Sequence, residues 1–182
     1  MDERLRAVVE MNEATWTRFE RTLADVGPDE IDWRPLPQAN TINLILRHLR
    51  IDAAWHVHQV EREDHILSPA VQPHPESLAL DFDQNLKELG QLVGRFIDVL
   101  RRMSLPELER RTAGAYKDFP QGSIPGHFLG YHFALHLAGH DAQIRGLRNL
   151  YRKVRGQPAR FYPNNPTFPE EESPPSRPLE QG

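Results

Sequence analysis

Residues 131–148 read YHFALHLAGHDAQIRGLR, and within them His132, His136 and His140 recur every four positions. On an α-helix that spacing stacks the side chains on one face, one turn apart, so adjacent imidazoles can converge on a single metal ion. With His at about one residue in twenty, a chain of this length holds roughly half of one such pair by chance, but only about two hundredths of a triple. A lone histidine on an apolar stripe is more often a hydrogen-bonded core residue; three in register favour a site. Leu129, Phe133, Ile144, Leu147, Leu150 and Tyr151 flank the ladder on the same face, so the ladder is expected to point into the core.

The helix carrying the ladder is expected to start at Ser123 as its cap, with Pro125 in the first turn, and to run to about Arg155. Three more long segments carry helical periodicity. The first runs from Glu3 to Val26, with Leu5, Val8, Val9, Asn12, Trp16, Phe19 and Leu23 inward, until Gly27-Pro28 stops it. The loop DEIDWRPLPQAN follows, with Trp33 folding back as an apolar plug. The second helix is capped by Asn40 or Thr41 and reaches about Arg62, with Ile42, Ile45, Leu46, Leu49, Ala53 and Val60 as its stripe and His48, Asp52 and Trp55 on the adjoining flank. After the loop SPAVQPHPES, the third spans Leu80 to Met103, with Leu86, Leu89, Val93, Phe96, Ile97 and Leu100 inward. Ser104 with Glu107 forms a capping box for one short extra turn, and Arg111 to Gly122 reads as an irregular crossover. From Gly156 the chain is Pro-rich and acidic, pinned through Phe161, Tyr162 and Phe168. The division expected is a helical domain over residues 1–155 and a tail over 156–182.

The 182 residues carry a net charge of −4, a poor electrostatic match for nucleic acid or anionic lipid. No apolar run is long enough to span a bilayer, and the opening MDERLRAVVEMNEATW is charged and amphipathic where a signal peptide would be apolar. A cytoplasmic location is expected. The sequence has no cysteine, which removes disulfides, thiolate metal sites and a thiol nucleophile of its own.

Two ligands from one helix need a third from elsewhere. His48 is the best candidate because it lies within the second helix near a buried face; His56 is its main rival, and His58, His65 and His74 lie toward that helix's end or beyond it. Asp52, one turn after His48, can orient an imidazole or act as a base; its plainer reading is a surface partner for a nearby Arg. Gln143 is expected on the buried face, holding bound water or substrate. Metalloprotease chemistry is disfavoured, since Phe133 and Leu137 follow the first two histidines where a zincin has a glutamate. Arg145, Arg148, Arg152, Lys153 and Arg155 complement the dipole at the end of the helix, with an anionic ligand as the sharper alternative.

Two motifs together, NTINLILRHLRIDAAW with Asn40, Ile42, His48 and Trp55, and HLAGHDAQIRGLR, resemble those of the DinB/YfiT-like superfamily; the approach DWRPLPQAN fits too. The resemblance spans roughly Leu5 to Tyr151. It implies an all-α fold, a four-helix bundle of up-down-down-up topology, often dimeric, with a divalent metal, zinc or nickel, on His48, His136 and His140. His132 is then an extra rung. Some relatives are thiol-dependent, the bacillithiol S-transferases and the mycothiol-dependent maleylpyruvate isomerase among them. The family's usual H-R-G-Q reads His140-Asp141-Ala142-Gln143 here, which leaves the ligand in place but alters its surroundings.

What these readings imply is a metal-dependent enzyme that binds a low-molecular-weight thiol at an open metal position, with Asp52, His132 or water taking its proton and a small-molecule electrophile as substrate. A homodimer is expected, without nucleic-acid or membrane partners. The alternatives are a non-catalytic, metal-stabilised bundle that binds a partner, and hydrolysis by bound hydroxide.

Overall fold

The computed structural model describes residues 1–61, 81–112 and 127–161. Among them there are six helices and no strand: α1 (Glu3–Leu23), α2 (Pro28–Ile31), α3 (Ile42–Glu61), α4 (Phe82–Arg102), α5 (Leu105–Thr112) and α6 (Phe128–Lys153). The expected cap at Ser123, Pro125, the histidines His65 and His74, and the tail anchors Tyr162 and Phe168 lie outside the described residues.

Local chemistry sets most helix ends. The Asp2 carboxylate accepts the Arg4 N–H at 2.9 Å, and Asp81 accepts that of Gln84 at 2.8 Å, so each satisfies an otherwise orphan donor of a first turn. Of the two candidate caps on α3, Thr41 acts: its Oγ1 accepts the Leu44 N–H at 3.1 Å. Three boundaries differ from expectation. α6 begins at Phe128 with His127 as its N-cap, later than the start expected at Ser123. α1 stops at Leu23 rather than Val26, because Pro28 opens the short α2 inside the stretch read as a loop, where a first-turn proline loses no hydrogen bond. α5 runs eight residues and takes in Arg111 and Thr112, which were read as the start of the crossover. Ser104 Oγ accepts the Glu107 N–H, but the Glu107 carboxylate pairs with Arg111 at 2.5 Å and so lends α5 a second stabilising contact. α6 closes on Gly156, whose φ of 67° lets the Gln157 N–H reach back to the Arg152 carbonyl at 3.0 Å.

The long helices bury their apolar stripes against one another: α1 packs on α6 and α4, and α3 on α4 and α6. Phe19, Phe96 and Phe133 are fully buried, each contributing on the order of 1.5–3 kcal/mol by area removed from water. At the α1–α6 crossing Asn12 Nδ2 donates to the Gly130 carbonyl at 3.0 Å, and a β-carbon on Gly130 would overlap the Val8 side chain. On the other side Asn85 Nδ2 donates to Asn43 at 2.8 Å, and Arg50 pairs with Glu88 at 2.6 Å. Trp33 meets Tyr151 edge-on, ring centres 5.5 Å apart, which ties the loop after α2 to α6 as expected of a plug.

The ladder does not enter the core. On α6 the buried positions are Leu129, Gly130, Phe133, Ala134, Leu137, Asp141, Ile144, Leu147 and Arg148, offset from the histidines, which sit half-buried at the edge of that face. Leu150, expected inward, is 45% exposed. The cause is rotational: 3.6 residues per turn lets an i, i+4 row drift round the helix, so the row of histidines borders the apolar row instead of coinciding with it.

A candidate metal centre between two helices

α3 and α6 face each other across a set of side chains with the same four-residue period on both. His48, Asp52 and His56 on α3 meet His140, His136 and His132 on α6, in opposite order. In the outermost rung His48 and His140 have ring centres 5.0 Å apart. Nε2 of His136 lies 3.1 Å from Nε2 of His48 and 2.9 Å from Nε2 of His140. His48 is exposed and the other two are half-buried, so the cluster lies on the rim of the bundle.

These three nitrogens fit a divalent cation. Around an ion at about 2.0–2.1 Å, two tetrahedral nitrogen ligands sit about 3.3 Å apart, a few tenths of an ångström beyond what is observed. The outer nitrogens point the same way. Nδ1 of His136 is 2.8 Å from Asp52 Oδ2, and Nδ1 of His140 is 3.0 Å from Gln143 Oε1. Both acceptors place the ring proton on Nδ1 and leave the lone pairs on the converging Nε2 atoms, an arrangement that favours a cation between them. Gln143 is itself exposed, contrary to the buried position expected of it, because it falls one turn beyond His140 on the rim rather than on the core row.

The electrostatics follow. Burial lowers the pKa of His48, with His136 adding to the shift, and lowers that of His140, with His136 and His48 adding to it. His136 is raised, because its bond to Asp52 stabilises the protonated ring. Burial pushes Asp52 up, but bonds from His136 and His56 outweigh it and hold the carboxyl well below the usual range. The side chain is 18% exposed and bonded to two imidazoles, so it is not the arginine partner of the plainer reading.

His132 stands one rung further in. Its ring stacks on His136 at 5.9 Å and on His56 at 5.5 Å, its Nδ1 lies 3.4 Å from His56 Nε2, and burial lowers its pKa. His56, the rival third ligand, is fully buried among Trp55, Phe96 and Phe133, with Nδ1 2.9 Å from the Asp52 carbonyl and 3.3 Å from Asp52 Oδ2. The structure keeps it out of the convergent cluster and within the carboxylate's reach. The repeat H-x-x-x-D-x-x-x-H in α3 was a visible signal of this, matching the ladder in period.

The cations after the ladder serve the fold. Arg148 is 2% exposed and pairs with Glu30 at 2.8 Å and Asp25 at 3.1 Å, while also donating to the Thr22 carbonyl at the end of α1. Asp141, the departure from the family's usual residue, is buried; it accepts from Thr22 Oγ1 at 2.5 Å and pairs with Arg18 at 2.9 Å and Arg145 at 3.1 Å. The position next to a ligand thus locks α6 to α1.

No helix among the described residues is long and apolar enough to cross a membrane. No curated protein and no solved structure matches the chain. A family model, that of the DinB superfamily, matches residues 11–144, and a three-histidine site shared between two helices sits inside that span. The chain belongs to the DinB superfamily.

Proposed function

We propose that the protein is a metal-dependent enzyme in which His48, His136 and His140 hold a divalent cation, zinc or nickel, and leave a coordination position open for a small thiol that is transferred to an electrophile. An ion there would stabilise the thiolate at neutral pH and so supply the nucleophile that a cysteine-free chain lacks. The chain's own part is to present three Nε2 lone pairs to one point. Asp52 holds His136 by Nδ1, Gln143 holds His140, and His132, stacked beside His136, is the basic group placed to take a proton from an arriving cosubstrate. The exposure of His48 leaves the outer side of the cluster accessible.

The reading extends to the architecture. Cross-helix pairs support an up-down-down-up bundle: Asn12 with Gly130 and Thr22 with Asp141 run in parallel order, Asn43 with Asn85 and Glu61 with Arg95 likewise, whereas His48 with His140 and His56 with His132 run antiparallel. Residues 1–155 form the functional unit, which pairs as a homodimer in the cytoplasm, and 156–182 are its appendage.

The observation that carries the reading is the approach of three Nε2 atoms with two of their outer nitrogens already engaged. Its test is metal analysis of the purified protein beside His48→Ala and His140→Ala, followed by conjugation assays with a panel of low-molecular-weight thiols and electrophiles. Each variant is expected to lose stoichiometric metal. Wild-type metal content in both variants sinks the site, and full metal without thiol-dependent turnover moves the protein to the non-catalytic class.

A further inference from the structure

We propose that His56 is a positioning residue of the metal centre: it locks the Asp52 carboxylate that orients His136, and passes the same constraint on to His132. This rests on the metal reading above and adds to it a buried residue that touches neither ion nor substrate.

Hydrogen-bond logic fixes the chain link by link. His136 turns Nε2 to the cluster, so Nδ1 carries the proton and donates to Asp52 Oδ2 at 2.8 Å. Nδ1 of His56 faces two acceptors on the same residue, the Asp52 carbonyl at 2.9 Å and Oδ2 at 3.3 Å, so it must carry a proton as well. A neutral His56 then offers only a lone pair at Nε2. Its neighbour there, Nδ1 of His132 at 3.4 Å, must be the donor. His132 is thereby held as the Nδ1–H tautomer, with its Nε2 lone pair on the far side of the ring. Three imidazoles on two helices share one tautomer because a single carboxylate starts the sequence.

Packing makes His56 fit for this. It is fully buried, with ring contacts to Trp55 at 4.8 Å, Phe133 at 4.8 Å and Phe96 at 5.9 Å, so it has no room to flip. A carboxylate held at one oxygen by half-buried His136 alone could still turn about that single bond; a second donor from an immobile ring removes that freedom. Loss of an outer partner of a ligating histidine typically costs about 10–100-fold in metal affinity.

The test uses the full chain with zinc as the probe, in competition with a chromophoric chelator, on wild type, Asp52→Asn, His56→Leu, His56→Asn and the Asp52→Asn/His56→Leu double variant. Asp52→Asn is expected to weaken zinc binding about 10–100-fold and His56→Leu about tenfold. The double variant should be no weaker than Asp52→Asn by more than about twofold, since both act through one link. His56→Asn, whose amide can still donate to Asp52, should recover most of the loss. Long-range proton–nitrogen spectra of the metal-free protein should show His56 and His132 as Nδ1–H tautomers, a readout that needs no variant to fold. Either ring in the other tautomer, additive losses in the double variant, or zinc affinity within twofold of wild type in a folded His56→Leu overturns the proposal. A wild type that takes up no zinc overturns the metal reading itself, and this role with it.

Discussion

Gly130 is where α6 comes closest to α1, and replacing it by alanine sets two effects against each other. In an open helical position the change would stabilise by about 1 kcal/mol, because glycine is the poorer helix former. At Gly130, however, the new methyl would overlap Cγ1 of Val8, with Val8 Cβ at 3.6 Å and Leu100 Cδ1 at 3.8 Å closing off retreat. Val8 and Leu100 are both fully buried, so the helices must part, and overpacking of that kind costs about 1–3 kcal/mol or more. Parting them also stretches the Asn12 bond to the Gly130 carbonyl, a further ~1 kcal/mol. The net expectation is a loss of about 1–3 kcal/mol, a fall in Tm of roughly 3–10 °C for a chain of this size. Gly139 and Gly146 on the same helix have nothing within 4 Å of a built β-carbon, so alanine there should raise Tm by about 1–4 °C. Differential scanning calorimetry of the three variants, with Val8→Ala alone and combined with Gly130→Ala, reads the effect. Trimming Val8 should relieve the clash, so the double variant should be more stable than the sum of the singles by at least about 1 kcal/mol. Strict additivity, or a Gly130→Ala that melts above wild type, would refute the close crossing.

Arg148→Met should cost about 3–5 kcal/mol in urea denaturation by stranding buried Glu30, and adding Glu30→Gln should return a good part of it. In chelator-treated protein, stability should fall as pH drops from about 7 to 5. His48, His132 and His140 have lowered pKa values, so the unfolded chain takes up protons first and is favoured as pH passes below their ordinary value. His136 has the opposite sign, stabilising the fold below its ordinary value and losing that effect as pH rises through its raised one. Removing its bond with Asp52→Asn should therefore steepen the fall seen in thermal melts across that range. Asp52 itself, lowered in the fold, contributes stability that is lost only below about pH 4. Asn149→Ala should speed tryptic cleavage at Arg160, because its amide accepts the backbone N–H groups of Arg160 and Phe161 and donates to the Phe161 carbonyl; an unchanged rate would show that these bonds do not hold the segment.

The helices were legible in the sequence because their apolar periods and caps are local properties, and Thr41 and Ser104 act where the pattern put them. So were His136 and His140 as a pair, since a four-residue period is a statement about one helix face, whereas His48 stood out by its place near the buried face of another helix and by the family resemblance. What one helix cannot reveal is its rotation against its neighbours. That is why the ladder was expected in the core and lies on its edge, and why Gln143 was expected to be buried. Likewise the pairings of Arg148 and Asp141 are invisible in the sequence, because their partners Glu30, Asp25, Thr22 and Arg18 lie more than a hundred residues away in the chain. The role of His56 hid for the opposite reason: its own pattern was visible, but its pairing with His132 depends on the register between two helices.

The ladder's place at the rim sets how an ion would arrive at the proposed site. A site sealed in the core could be filled only while the chain folds or during a global opening, so its occupancy would follow the slow unfolding rate. Here His48 is open to solvent, and the apolar rows of α3 and α6 close beneath the cluster without it. On the proposed metal reading, loading would be an encounter between an already folded protein and a free ion. Occupancy would then follow the supply of free metal, and a protein made during scarcity could still be filled later.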